Sequence, residues 1–406
     1  MIENLLRHSE NRNNKISNSS NKYDHLDWVS QQQLCVGKPS IIYLKFGIGT
    51  FETPIPYKSY YLRMDTGSEL TWVQCEDCRK PGNHCFGKPP IIYTNTKSTT
   101  YYPIPCDTHE LCYKGKCING FCSYTKYYND GSKITGILAF DAFTFGIGPG
   151  PNEITQDIVF NQVFGCNTIY HGLSSNVEIG ILGLGWGPRS FISQVKTQVQ
   201  DSFSYCFPFF DKTSPVSEGY FKIGSDGVSE DDFSSTALRR FGYFHHYYIN
   251  LEGISVNKRK LNILPSVFAR NGDEGGTLID SGSSFTYLTP VAYLELKRVL
   301  ASYFTSLKNY VPIKSDYLDL CYKGSTYVAE QLPSVTFHFS GADLLLKPEN
   351  VFIWLDDPPN AFCLAMIMNK EQDTIFGAYQ QSNFKFIYDR RKSLLLFKPD
   401  SCDEAA

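Results

Sequence analysis

The run Tyr61–Val73 reads YLRMDTGSELTWV, and a near copy, GGTLIDSGSSFTYLTP, spans Gly275–Pro290. Aligned on Asp65 and Asp280, the copies read Asp-Thr-Gly-Ser-Glu-Leu-Thr-Trp-Val and Asp-Ser-Gly-Ser-Ser-Phe-Thr-Tyr-Leu. Each interrupts an apolar, strand-like run with an aspartate and a glycine, two residues that strand interiors disfavour. A carboxylate near a core is costly unless it is hydrogen-bonded. The same costly arrangement is written once in each half of a 406-residue chain. The chain must therefore fold into two comparable halves.

Size and composition agree with that reading. With 42% hydrophobic and 15% aromatic residues, the chain can bury a large core in two domains or one two-lobed unit. A formal net charge of −3, with Lys and Arg scattered, gives no basic footprint for nucleic acid or an anionic membrane. No run approaches the ~18 apolar residues of a membrane-spanning helix.

Short Val-, Ile-, Phe- and Tyr-rich runs alternate with Gly, Pro, Asn and Asp from about residue 40 onward. Examples are SIIYLKFGIG, GILAFDAFTFG, DIVFNQVFGC, HHYYINLEGISV, SVTFHF, DLLLKPENVFIWL and NFKFIYDRRKSLLLFK. This spacing predicts a mainly β fold. Helical patterns are few and short, the best candidates being Arg189–Val199 and Pro290–Leu307. Residues 1–39 are read as a disordered segment or leader remnant, with a sequon at Asn18-Ser19-Ser20 and no apolar signal core. The N-terminal lobe is expected over 40–215 and the C-terminal lobe over 216–406. Polar breaks at Phe210–Gly219 and Ser225–Ser235 lie near that boundary.

The twin motif has a chemical reading. Two Asp-Thr/Ser-Gly-Ser turns facing each other across a pseudo-twofold axis would bring Asp65 and Asp280 together. Gly67 and Gly282 permit a backbone approach that a Cβ would block. Turn N–H groups can hydrogen-bond the carboxylates, while Thr66, Ser68, Ser281 and Ser283 brace them with hydroxyls. Two such carboxylates share a proton and titrate as a pair. One then acts as a general base toward water and the other as an acid. A glycosidase could also use paired carboxylates, but symmetric glycine turns fit it poorly.

At this point the chain resembles the pepsin-like aspartic proteases, most closely the nepenthesin-type plant members, over about residues 40–406. The resemblance rests on Asp65–Ser68 followed by Trp72, on Ile279–Ser283, and on GILGLGWGP (Gly180–Pro188) and TIFGAYQQ (Thr374–Gln381). It implies two pseudo-symmetric β-barrel-like lobes with a central cleft, in which the last two elements thread under the catalytic loops. It also implies an acid endopeptidase acting on protein or peptide substrates with large apolar side chains beside the bond, needing no cofactor and working as a monomer. Activity is expected to be greatest at about pH 3–5 and negligible near 7, by analogy with paired aspartates. The lid is expected at Cys122–Gly136, with Tyr128 closing over substrate and bonding toward Trp72. Asn129 stands where the family has glycine, and tolerates positive φ. The GIGTFETPIPYKSYY run before the first motif also departs from the family's Gly-Thr-Pro-Pro turn. A pepsin-fold binding or inhibitor protein without strong catalysis is the alternative.

Thirteen cysteines, with Cys75, Cys78, Cys85, Cys106, Cys112, Cys117 and Cys122 in one segment, point to disulfides in an oxidising compartment. A zinc knuckle built from Cys75, Cys78, Cys85 and His84 is the competing reading. The resemblance implies a cysteine-rich insert over 75–122 and the pairs Cys75–Cys78, Cys85–Cys166, Cys106–Cys122, Cys112–Cys117, Cys206–Cys402 and Cys321–Cys363, leaving Cys35 over. Secretion to the apoplast or delivery to the vacuole is expected, although no signal peptide is visible in this chain.

Overall fold

The computed structural model describes residues 30–37, 41–52, 56–87, 91–145, 158–172, 179–209, 217–225, 229–307, 310–315, 318–324, 331–355 and 360–402. The sequon at Asn18 and the expected lobe boundary at 215/216 lie outside these residues.

The first half is built from β1 (Ser30–Gly37), β2 (Ile41–Ile48), β3 (Lys58–Asp65), β4 (Trp72–Gln74), β5 (Phe121–Tyr127), β6 (Lys133–Phe145), β7 (Ile158–His171) and β8 (Gly180–Gly183). Strand β1 lies within the segment that the sequence reading assigned to a leader. It is instead a paired strand, hydrogen-bonded to β2 and to β10 (Ser217–Ile223). Its Gln-rich sequence carries no period-two signal, and its pairing partners are distant in the chain.

The run β2–β3–β8–β4–β7 has a definite sense: antiparallel, parallel, antiparallel, parallel. The second half repeats it with β11 (Tyr247–Ile249), β12 (Thr277–Ile279), β13 (Thr286–Leu288), β14 (Met366–Met368) and β15 (Thr374–Phe376). There the neighbours run β11–β12–β15–β13–β14, with the same alternation of sense. The sequence repeat is thus a structural repeat. In each half the Asp-Thr/Ser-Gly turn follows a strand, and a later strand, β8 or β15, slots in parallel beside it. Leu182 lies beside Met64, and Phe376 beside Ile279.

The halves are joined by a shared sheet in which β9 (Ser202–Cys206) pairs with β16 (Phe384–Asp389), and β16 with β17 (Leu394–Pro399). Phe203, Tyr205, Tyr247 and Tyr388 pack where the halves meet, with Phe203 and Tyr388 stacked at 4.4 Å.

Two helical expectations divide. Helix α1 covers only Phe191–Val195, capped by the Ser190 hydroxyl accepting from the Ser193 N–H, and does not reach Val199. Helix α2 spans Pro290–Ser306, with Pro290 in its first turn. Its Ala292, Leu296, Leu300 and Phe304 recur every four residues and form the buried face. DLLLKPENVFIWL is not one strand, because Pro348–Val351 forms a helical turn between Ala342–Leu346 and Phe352–Leu355.

Six disulfides are formed, and they correct four of the six expected pairs: Cys75 bonds Cys166, Cys78 bonds Cys85, Cys106 bonds Cys117 and Cys112 bonds Cys122. Cys75–Cys78 and Cys85–Cys166 fail because β4 lies parallel to β7, with Val73 beside Cys166 and the Cys75 N–H donating to Asn167 O. Cys75 therefore sits against β7, while Cys78 starts a short loop that brings Cys85 back. Cys117 and Cys122 face each other across a tight hairpin. One hairpin arm ties to Cys106 and the other to Cys112, rather than Cys106–Cys122 and Cys112–Cys117. Cys206–Cys402 and Cys321–Cys363 are bonded as well. With Cys75, Cys78 and Cys85 all bridged, the zinc-knuckle reading has no thiolates left.

Candidate active site

The two turns meet in the centre of the molecule. Thr66 N–H donates to Ser281 Oγ at 3.1 Å, and Ser281 N–H donates to Thr66 Oγ1 at 2.9 Å. Each hydroxyl in turn reaches a carbonyl of the opposite strand: Thr66 Oγ1 to Ile279 O at 3.4 Å and Ser281 Oγ to Met64 O at 3.3 Å. Thr66 is fully buried and Ser281 nearly so. The two are held symmetrically.

The carboxylates lie just beyond this grip. Gly67 N–H is 2.8 Å from Asp65 Oδ1 and 3.1 Å from Asp280 Oδ1, so both inner oxygens converge on one donor. Gly282 N–H donates to Asp280 Oδ1 at 2.8 Å. The outer oxygens are braced by hydroxyls, Ser68 Oγ on Asp65 Oδ2 and Ser283 Oγ on Asp280 Oδ2. A Cβ on Gly67 would stand 2.7 Å from Asp280 Cγ, and one on Gly282 would strike the Asp65 carboxylate. These two glycines are therefore required by close approach.

The environments differ. Asp65 is 6% exposed, while Asp280 is partly open to the cleft. Burial first, and then the charge of Asp280, push the Asp65 carboxyl up to about 7, against the pull of Ser68 and Gly67. The pair thus holds a proton more firmly than a lone aspartate would.

Repeat-related groups support both turns from below. Gly183 N–H donates to Thr71 Oγ1 and Gly377 N–H to Thr286 Oγ1, each at 3.1 Å. Gln381, in the turn Ala378–Gln381, donates Nε2 to Phe376 O at 2.7 Å and Asp280 O at 3.3 Å. Thr71 and Thr286 occupy matching places in the repeated phrase and were visible as such. Gln381 closes the run TIFGAYQQ, with nothing in its own neighbourhood that marks its role.

The β5–β6 hairpin carries Tyr128 at its tip, and Trp72 Nε1–H donates to the Tyr128 hydroxyl at 2.7 Å. Burial first, and then the nearby Asp65 charge, hold the Tyr128 phenol well above its ordinary value. The turn closes by Tyr128 N–H to Ser132 O at 2.9 Å and Ser132 N–H to Asp130 Oδ1 at 2.8 Å. Positive φ falls on Gly131, at 82°, and not on Asn129. The departure at Asn129 therefore puts no left-handed residue into the tip.

Sequence reasoning passed over a group of charges beside the site. Glu69, next after Ser68, is buried within ion-pair distance of Lys126 and His245. His246 lies near Asp280; burial lowers its imidazole, while the charges of Asp280 and Asp373 pull it back up. The signal available was Glu69 itself, a charge inside an apolar run.

A two-lobed β fold with paired Asp-Thr/Ser-Gly turns at its centre defines an aspartic-protease-type protein. The sequence matches the xylanase inhibitor N-terminal family over residues 44–225 and the xylanase inhibitor C-terminal family over residues 246–399. It is 32% identical to aspartic proteinase nepenthesin-1 of Nepenthes gracilis, over 88% of this chain and 77% of that protein. It is 33% identical to nepenthesin-2 of the same plant, over 86% and 76% of the two chains. With aspartyl protease AED1 of Arabidopsis thaliana it shares 30% identity, over 97% of this chain and 78% of the relative. The chain belongs to the pepsin-like aspartic protease family, in its nepenthesin-type plant branch.

Among solved structures, edgp superposes with a TM-score of 0.71 at 18% identity, covering 92% of this chain and 95% of that one. Conglutin gamma, a basic 7S globulin from lupine seeds, superposes at 0.69 and 18% identity, covering 92% and 95%. These likenesses concern the fold alone. No helix among the described residues is long and apolar enough to cross a membrane.

Proposed function

We propose that the protein is an acid endopeptidase in which Asp65 and Asp280 act as one catalytic unit on protein or peptide substrates. The observation that carries this reading is the convergence of both inner carboxylate oxygens on the Gly67 N–H, with a hydroxyl on each outer oxygen. Such a pair can share one proton and hold a water between its members. Asp65 supplies the proton and Asp280 the base. Water oxygen attacks the peptide carbonyl carbon as its proton passes to Asp280, and Asp65 protonates the carbonyl oxygen. The tetrahedral diol then collapses: the C–N bond breaks, the nitrogen takes the proton held by Asp280, and a diol proton returns to Asp65. Tyr128, held by Trp72, closes the cleft from above.

Six disulfides favour an oxidising compartment, so the apoplast or the vacuole is the place where the protein works. It acts as a monomer and needs no cofactor.

A second reading, a binding or inhibitor protein, is favoured by the description of the matching family as xylanase inhibitor. Digestion of acid-unfolded haemoglobin or casein, with and without a pepstatin-type inhibitor, separates the two. Inhibitor-sensitive cleavage supports the peptidase. No cleavage by the folded protein, together with inhibition of a xylanase, supports the binder.

A further inference from the structure

Glu69 is an unusual residue to find one position beyond the catalytic turn. Its side chain is only 2% exposed. Oε1 accepts the Arg189 N–H at 3.2 Å, while Oε2 has no hydrogen-bond partner. Two basic groups approach that bare oxygen without reaching bonding distance: Lys126 Nζ at 3.8 Å and His245 Nε2 at 3.6 Å. A buried carboxylate oxygen left unbonded costs free energy, and the cost falls if one cation closes in. Gly187 makes room for the acid, since a Cβ there would stand 2.5 Å from Glu69 Cδ.

The three residues come from different parts of the fold. Lys126 lies on the hairpin strand β5, two residues before Tyr128, and is partly exposed. His245 is fixed by its backbone, its carbonyl accepting the Trp186 N–H at 2.7 Å. The next residue but one, Tyr247, donates its hydroxyl to Leu184 O at 2.7 Å. Glu69 is fixed by the catalytic turn and by Arg189, whose guanidinium lies 3.5 Å over the Tyr113 ring. Two members are anchored and the third rides on the lid.

We propose that Glu69 is a positioning residue that latches the lid: it draws Lys126 down against the anchored His245 and so holds Tyr128 over the cleft. This rests on the peptidase reading for its purpose, not for its geometry. The groups facing the latch are Lys126 from the hairpin, Arg189 and Tyr113 around Glu69, and Arg240 and His246 beside His245. His246 in turn faces Asp280 and Asp373. Burial, and then Lys126, Arg240 and His246, lower the His245 imidazole, against the pull of Glu69. His245 therefore gains its charge only in acid, where it repels Lys126 and competes with it for Glu69 Oε2, so the latch holds near neutrality and loosens in acid.

Amide hydrogen exchange of peptides covering 121–136, corrected for intrinsic rates, tests this directly in the full chain at about pH 4 and 7. Glu69→Gln and Lys126→Met should each speed lid exchange by about threefold or more at about pH 7, the effect of one partly buried ion pair. His245→Gln should leave lid exchange near wild type at about pH 7 and reduce its rise at about pH 4. In cleavage assays Lys126→Met should raise KM with kcat little changed. Lid exchange equal to wild type in both Glu69→Gln and Lys126→Met overturns the latch even if the protein cleaves substrate. Uniform loosening of the whole first half in Glu69→Gln, with Lys126→Met silent, overturns it too by assigning Glu69 a purely structural role. Lid-specific loosening without any cleavage upholds the latch and sinks the peptidase reading instead.

Discussion

Thr66 and Ser281, one from each half, each accept on the hydroxyl the backbone N–H of the other, at 3.1 and 2.9 Å. Everything the cleft can do depends on that exchange, because it sets the distance between the two carboxylates. Both hydroxyls are buried, so removing either strands a donor. Thr66→Ala and Ser281→Ala should each cost about 1–3 kcal/mol in denaturant unfolding. The double variant should cost clearly less than the sum, since the two residues share one network. Additive costs would mean that the halves are held elsewhere.

The lid bond gives a second test. Tyr128→Phe removes the acceptor of the Trp72 Nε1–H and leaves that donor without its partner. On the peptidase reading, kcat/KM should fall by about tenfold, the equivalent of one buried hydrogen bond. Near-neutral thermal stability would show that the loss lies in the cleft. Unchanged kcat/KM would remove Tyr128 from the mechanism.

The disulfides offer a third. Peptide mapping without reduction should recover Cys75 linked to Cys166 and Cys78 linked to Cys85. Cys75–Cys166 closes a separation of 91 residues and Cys78–Cys85 one of 7. Chain entropy makes the first worth about 4–5 kcal/mol and the second about 2. Replacing both members of the first pair by serine should therefore lower Tm far more than doing so for the second.

How much of this could be read in advance follows from where each signal sits in the chain. The Asp65 and Asp280 phrases, with Thr71 and Thr286 inside them, are local and repeated, so the paired turns and mainly β architecture were legible. The pairing of β1 with β10, and of Cys75 with Cys166, depends on strand neighbours far apart in sequence. Nothing at Cys75 states that β4 will lie parallel to β7. Glu69 was missed for a different reason. A charge in an apolar run reads as surface until His245 and Lys126 are seen around it.

Titration of Asp65 makes a prediction with two signs. Its carboxyl is raised from 3.8 to about 7, so the folded state binds that proton more tightly than the unfolded chain. The proton's contribution to stability is full below about pH 4 and is lost as pH rises through about 7. Asp65→Asn cannot ionise, so its Tm should fall less than that of wild type between about pH 4 and 8. Cleavage should weaken over the same upper range, because the acid in the mechanism disappears. That upper limb lies above the acid window expected from the sequence.

The most direct measurement of the central claim is initial cleavage rate against pH, on an unfolded protein substrate, for wild type, Asp65→Asn, Asp280→Asn and the double variant, each shown to be folded. The account predicts an acid optimum for wild type and loss of at least about 100-fold in either single variant. The double variant should lose little more, because the two aspartates act as one unit. An optimum above neutrality, or more than a few per cent of wild-type rate in either folded single variant, would contradict it.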